Sequence, residues 1–157
     1  ATRSKVIGVL ATTRTLESPA VTRLVARFGS AARIVLQPCP GLVEEVERGT
    51  IDEAATTALL EQLLSAPLAA GADQLVLGCT HYAFLRDRIQ TIVGSGVTLL
   101  DSADAVARQT ERRLPYACDA TDGGDRVEFY ASGNRAAVAA RIEALWGASI
   151  TVHALPV

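Results

Sequence analysis

The stretch QLVLGCTHY, residues 74–82, places a cysteine and a histidine directly after a short apolar run. Gln74 to Gly78 is predicted to be a buried strand, because a short aliphatic run that ends at glycine is typical of one. A helix is expected from about His81 to Val93. Cys79 therefore lies where a strand meets a helix, and unpaired backbone N–H groups there can stabilise a thiolate, the reactive form of cysteine.

Strands and helices alternate on both sides of this stretch. Further strands are predicted at Lys5–Ala11, Arg33–Leu36 and Val97–Leu100, and further helices at 18–28, 42–48, 52–70 and 101–114. This alternation is typical of an α/β fold whose parallel sheet is covered by helices on both faces, which gives a three-layer lobe. Ligands of such sheets bind beyond the carboxyl ends of the strands, where the Thr12–Thr15 loop and Cys79 are both expected.

The last third of the chain has a different character. A polar, glycine-containing linker is predicted at Pro115–Arg126, followed by a strand at Val127–Ala131, a helix at Asn134–Trp146 and a strand at Ser149–His153. One β-α-β unit is too small to build a core of its own, so this tail is expected to pack onto something else.

Composition excludes several classes of protein. The formal net charge of −2 argues against a nucleic-acid platform, and no apolar run approaches the roughly 20 residues that span a bilayer. Three widely spaced cysteines do not suggest a disulfide framework, which favours a reducing, cytoplasmic location. With only two histidines, the sequence predicts no metal site. Residue 1 is not methionine, so we expect additional sequence upstream.

Cys79 is the strongest candidate for chemistry. It is either a nucleophile or general base oriented near His81, or a small buried side chain at the end of a strand. The hydroxyls of Thr12, Thr13 and Thr15, together with amides near the Ser18 helix, could bind a carboxylate, although a polar loop without a ligand is the favoured explanation of these residues taken alone.

The remaining candidates are weaker. Glu44, Glu45 and Glu47 form a charge run that usually marks the solvated face of a helix. Cys39, held between two prolines, is predicted to be structural, and nothing near Cys118 favours a reactive thiolate. From the residues alone, the prediction is a thiol site that binds a carboxylate.

Five stretches carry a resemblance to a known family. They are VIGVLATTRTLES from Val6, QPCPGLVEEVERG from Gln37, LGCTHYAFL from Leu77, VTLLDSADAVA from Val97 and VEFYASGN from Val127. In these stretches the chain resembles cofactor-independent glutamate racemase, a member of the aspartate/glutamate racemase superfamily. Such enzymes invert the α-carbon of glutamate with two cysteines on opposite faces and need no cofactor and no metal.

The resemblance implies specific roles for residues of this chain. It implies that Cys79 is the second catalytic cysteine, that His81 assists it and that Glu47 is the nearby catalytic carboxylate. The residues implied to contact the substrate are Thr80, His81, Thr12 and Thr15.

The departures from the family pattern are equally informative. The sequence contains no DSGxGG stretch, no PYG stretch and no CNT-like motif with the first catalytic cysteine. The resemblance therefore implies the C-terminal portion of the enzyme, in which residues 5–100 form the second lobe and residues 101–157 return to complete an N-terminal lobe. The implied partners are glutamate and the missing N-terminal segment of the same enzyme, with a homo-oligomer as a further candidate.

The expected function is supply of D-glutamate for peptidoglycan, with the isolated chain inactive because it carries one of two catalytic cysteines. Two alternatives remain open at this point. The chain could belong to a racemase of aspartate or a related amino acid, or it could be a non-catalytic interaction module.

Overall fold

The computed structural model describes residues 2–114 and 127–156, and the chain divides into two compact units. Unit 1 comprises Ala1–Asp104 and unit 2 comprises Ala105–Val157. The predicted linker at 115–126 lies outside the described residues.

Unit 1 is built on a four-stranded parallel sheet with the order β2-β1-β3-β4. The strands are β1 (Val6–Ala11), β2 (Arg33–Pro38), β3 (Gln74–Leu77) and β4 (Thr98–Leu100). All four strands were expected from the sequence, and their parallel pairing confirms the predicted α/β class.

Five α-helices and two 3-10 helices connect these strands, and a sixth α-helix crosses into unit 2. They are α1 (Thr13–Leu16), α2 (Pro19–Phe28), a 3-10 helix (Gly29–Ala31), α3 (Leu42–Arg48), α4 (Ala54–Ala69), a 3-10 helix (Thr80–Leu85), α5 (Arg86–Val93) and α6 (Ala103–Arg113). The short helix α1 occupies part of the segment that was predicted to be a loop.

The prediction of a continuous α-helix from His81 to Val93 was wrong. A six-residue 3-10 helix follows Cys79, and α5 begins only at Arg86. Tyr82 and Leu85 are both fully buried. A 3-10 helix aligns side chains three residues apart, so it turns both of these side chains toward the core at once.

One face of the sheet is tightly packed. Leu10, Leu75 and Leu99 are at most 3% exposed on this face. A Cβ at Gly8 would lie 2.5 Å from Leu75 Cδ2 and 2.9 Å from Pro67 Cβ, so only glycine allows α4 to approach so closely. Pro67 is buried in the last turn of α4 and does not end the helix, which continues to Ala69.

The opposite face of the sheet is less covered. Val9, Leu36, Val76 and Leu100 share this face, because they are neighbours in the strand register. Leu36 is 40% exposed and Leu100 is 42% exposed. Among the described residues, this face is therefore only partly covered.

In residues 127–156, unit 2 has a two-stranded parallel sheet and one helix. Its elements are β5 (Phe129–Ala131), α7 (Arg135–Trp146) and β6 (Val152–Ala154), in the predicted order. Asn134 caps α7 by accepting the N–H of Ala137. None of the described residues of unit 2 is buried, in agreement with the expectation that this segment cannot build its own core.

Candidate active site

The candidate site lies at the carboxyl edge of the unit 1 sheet, where β1 and β3 end side by side. Leu10 pairs in register with Leu77, and the N–H of Gly78 donates to the Leu10 carbonyl at 2.8 Å. Thr12 comes directly after β1, and Cys79 follows β3 after one residue. The two loops therefore meet at one edge, as the predicted parallel order requires.

The thiol of Cys79 faces the ring of His81. Its Sγ lies 3.8 Å from His81 Nδ1, and the Cys79 side chain is partly buried. Residue 79 is still extended, while His81 belongs to the first turn of the 3-10 helix. Because the tight turn brings residue 81 back beside residue 79, the two side chains meet although they are only two positions apart.

The other ring nitrogen of His81 faces a carboxylate. His81 Nε2 lies 3.4 Å from Glu47 Oε1, and both side chains are partly exposed. Glu47 is held there by α3, whose Leu42 and Val46 are buried in the core. Cys79, His81 and Glu47 thus form one continuous chain of contacts.

The other members of the glutamate run have different surroundings. The Glu45 carboxylate accepts hydrogen bonds from the hydroxyls of Thr50 and Thr56 and pairs with Arg48 at 2.7 Å. The Thr50 hydroxyl, more than any other group, holds the pKa of Glu45 below its ordinary value. Glu45 therefore fixes the end of α3, and Glu47 is the carboxylate that reaches the imidazole.

The threonine loop is organised by its own hydrogen bonds. The hydroxyls of Thr12 and Thr15 lie 2.8 Å apart, and the N–H of Thr15 donates to the Thr12 hydroxyl at 3.3 Å. The amides of Leu16, Glu17 and Ser18 also bond within the loop. The expectation that amides near the Ser18 helix bind a carboxylate is therefore wrong for these three, and the hydroxyls remain as candidates.

Two further predicted residues occupy contrasting environments. Thr80 is exposed at the start of the 3-10 helix, directly between Cys79 and His81. Cys39 is 2% exposed and its thiol donates to the Gln37 carbonyl. Burial raises the pKa of the Cys39 thiol to about 11, so this cysteine stays protonated and unreactive near neutral pH. Its predicted structural role agrees with this placement.

Tyr82 was not among the residues predicted for the site from the sequence. This residue is fully buried, and its hydroxyl donates to the Cys39 carbonyl at 3.3 Å. The signal in the sequence was a tyrosine directly after Thr80 and His81. A tyrosine ring tends to be buried where its hydroxyl can find a hydrogen-bond partner, so burial beside the site could have been expected.

The arrangement suits proton transfer at a carbon atom. A partly buried thiol with an imidazole neighbour can alternate between thiol and thiolate, and a carboxylate on the far ring nitrogen orients the imidazole and favours one tautomer.

Within residues 2–114 and 127–156, no group of three or more His, Cys, Asp or Glu side chains is placed to hold a metal ion. In the described part of the chain, no helix combines the length and apolar character needed to cross a bilayer.

Comparisons with known proteins agree with this reading of the fold and the motifs. The sequence profile of a family described as Asp/Glu/Hydantoin racemase matches residues 1–110. A glutamate racemase from Stutzerimonas stutzeri is 42% identical over 156 residues, which cover 99% of this chain and 59% of that protein. One from Ectopseudomonas mendocina is 43% identical over 154 residues, covering 98% of this chain and 59% of the relative.

Solved structures show the same similarity. The glutamate racemase isoform RacE1 from Bacillus anthracis matches with a TM-score of 0.82 and 27% identity, covering 100% of this chain and 59% of that one. Escherichia coli glutamate racemase, solved with L-glutamate and the activator UDP-MurNAc-ala, matches with a TM-score of 0.80 and 25% identity. That match covers 98% of this chain and 59% of the other.

The chain thus spans about 59% of the length of these two curated relatives. The family profile nevertheless covers all of β1 to β4, and with them every residue of the candidate site. This chain belongs to the Asp/Glu/Hydantoin racemase family.

Proposed function

We propose that this chain supplies one face of a cofactor-free glutamate racemase site. The observation that carries the proposal is the contact chain from Cys79 Sγ through His81 to Glu47 at the carboxyl edge of the sheet. The protein belongs to the Asp/Glu/Hydantoin racemase family, and the similar curated proteins named above are glutamate racemases.

In the proposed reaction, the Cys79 thiolate acts on one face of the substrate α-carbon. It removes the α-proton, so that the C–H bond breaks, an S–H bond forms and the electron pair is delocalised onto the adjacent carboxylate. In the opposite direction, the thiol returns a proton to the same face. His81 contacts the sulfur through Nδ1 and can exchange a proton with it, and Glu47 orients the imidazole through Nε2.

Inversion also requires a second acid or base on the opposite face of the carbon. We propose that a second thiol comes from an N-terminal segment of the same enzyme. In this scheme residues 5–100 are the second lobe and residues 101–157 complete the first. The larger size of the relatives, of which this chain spans about 59%, supports the scheme.

The substrate is proposed to sit between the two loops at the sheet edge. Thr80 is exposed beside the thiol, and the hydroxyls of Thr12 and Thr15 lie at the neighbouring strand end. These hydroxyls can donate to the substrate carboxylates. The product, D-glutamate, would serve peptidoglycan synthesis in the cytoplasm.

Protection of Cys79 from alkylation tests this function on the chain itself. Cys79 should react with iodoacetamide, as mapped by peptide mass spectrometry, and glutamate should slow the reaction more than aspartate does. Stronger protection by aspartate would assign the site to the shorter substrate. An unreactive Cys79 with no response to either amino acid would favour a non-catalytic interaction module.

A coupled assay for D-glutamate tests the requirement for a second thiol. The 157-residue chain should give negligible racemisation, because of the two cysteines that the structure describes Cys79 is partly exposed and Cys39 is buried. Robust turnover that is abolished in Cys79→Ala would show that the chain is complete for catalysis, and this result would overturn the half-site scheme.

A further inference from the structure

Tyr82 connects the Cys79–His81 pair to the interior of unit 1. It is fully buried next to the partly exposed His81, and its hydroxyl donates to the Cys39 carbonyl at 3.3 Å. A buried phenol without a partner is costly, so this hydrogen bond favours one position of the ring. Because residues 81 and 82 share a tight 3-10 turn, the position of the Tyr82 ring also restricts the His81 backbone.

Cys39 in turn connects residues 79–82 to the Thr12–Thr15 loop. Its N–H donates to the Ala11 carbonyl at 2.9 Å, directly before Thr12. Its thiol donates to the Gln37 carbonyl at 3.4 Å. The backbone of Cys39 therefore bonds to Ala11, directly before Thr12, and to Tyr82, directly after His81.

A second close approach, between Gly78 and β1, limits the position of the residues just before Cys79. A Cβ at Gly78 would lie 3.0 Å from the Leu10 carbonyl oxygen and 3.2 Å from Ala11 Cβ. A side chain at residue 78 would therefore be tight and would require Leu10 or Ala11 to shift by a few tenths of an ångström, directly before Cys79.

We propose that Tyr82 is a positioning residue that acts through the Cys39 carbonyl to hold the Cys79–His81 pair at a fixed distance from the Thr12–Thr15 loop. This inference rests on the proposed function of the pair. Burial raises the pKa of the Tyr82 phenol above its ordinary value, so its hydroxyl remains a donor throughout the neutral range.

The test is the pH dependence of Cys79 alkylation by iodoacetamide, followed from about pH 6 to pH 9. The wild-type chain is compared with His81→Asn and with Tyr82→Phe, which keeps the ring and removes only the hydroxyl. Tyr82→Phe should change the profile toward that of His81→Asn and slow alkylation near neutral pH by about threefold or more.

Two controls separate positioning from a general loss of stability. Tyr130→Phe removes a hydroxyl from a 47% exposed tyrosine in unit 2 and should leave the profile unchanged. Ile89→Val shortens a fully buried side chain of α5, and it should lower the melting temperature without changing the pH profile.

The outcomes distinguish this inference from the proposed function. If His81→Asn changes the profile and Tyr82→Phe does not, the positioning role is overturned while the proposed function stands. If His81→Asn itself has no effect, the proposed thiol–imidazole pair fails, and the positioning role fails with it.

Gly78→Ala keeps the inference testable if Tyr82→Phe does not fold. The added methyl group would require a shift of a few tenths of an ångström between residue 78 and β1, and it should change the pH profile of Cys79 alkylation in the same direction as Tyr82→Phe. Gly96→Ala is the matched control, because a Cβ at this position meets nothing within 4 Å. An unchanged profile in Gly78→Ala would overturn the proposal.

Discussion

Units 1 and 2 are both built from parallel strands and helices, but among the residues that the structure describes only those of unit 1 bury their side chains. Its core includes Leu64, Leu75 and Ile89, each with no exposed surface. Among the described residues of unit 2, the ring of Trp146 packs edge-on against Phe129 and is still 58% exposed. A parallel sheet needs cover on both faces, and one helix on a two-stranded sheet does not provide it. The difference shows that parallel pairing alone does not make a core.

The largest expected effect comes from truncating the core of unit 1. Leu64→Ala should lower the free energy of unfolding by about 2–5 kcal/mol, because it leaves a cavity under α4. Trp146→Ala should cost only about 1 kcal/mol, since most of this ring is already in water. Urea unfolding followed by circular dichroism measures both, and equal losses would contradict the contrast between the two units.

The next effect contrasts two thiols within unit 1. Cys79 should be alkylated at least about a hundredfold faster than Cys39 near neutral pH, because burial keeps the Cys39 thiol protonated and inaccessible. Peptide mass spectrometry gives the two rates. The ratio should approach one in denaturant, and a large ratio that persists there would show that burial is not its cause.

A smaller effect is expected from filling the space at two glycines. Gly8→Ala should destabilise the chain by about 1–3 kcal/mol, because the new methyl group would clash with Leu75 and Pro67. Gly133→Ala in unit 2 meets nothing within 4 Å and should change stability by less than about 0.5 kcal/mol. The melting temperatures of the two variants compare the tightly packed position in unit 1 with the unobstructed position in unit 2.

The smallest effect concerns acid stability at the N-terminal edge of the unit 1 sheet. The Asp73 carboxylate accepts from the Thr2 hydroxyl and from the N–H groups of Arg3 and Ser4, and these bonds, led by that of Thr2, lower the pKa of Asp73. A lowered folded-state pKa stabilises the fold above the unfolded value of about 3.9, and this contribution is lost as the pH falls through the folded value.

Asp73→Asn should therefore melt at a lower temperature than the wild type near neutral pH, and the difference should shrink below about pH 4. Melting temperatures measured across this range test the sign. Asp52→Asn is the control, because the Asp52 side chain is 89% exposed. A difference for Asp73→Asn that grows in acid would contradict the assignment.

Much of the fold could be predicted from the sequence because its signals are local. Ser18 with Pro19, and Gly29 ten residues later, mark the two ends of α2 where the structure has them. The 3-10 helix after Cys79 could not be predicted in this way. Helical periodicity does not reveal that Tyr82 and Leu85 must both reach the core, and this requirement depends on packing against distant residues.

The candidate site shows the same limit. Cys79 and His81 could be paired from their spacing, and Glu47 was reached only through the family resemblance. Nothing in the run of glutamates distinguishes Glu47 from Glu45, since all are spaced as on a solvated helix face. Their separate surroundings arise because buried Leu42 and Val46 fix the rotation of α3.

The sequence by itself determined the order of strands and helices, the parallel class and the placement of Cys79 at a strand end. These follow from backbone propensities and from the spacing of apolar residues, which act over a few positions. Only the tertiary structure decided which carboxylate meets His81, which cysteine is buried and how Tyr82 connects two loops. Those outcomes depend on contacts between residues far apart in the chain, which local preferences do not specify.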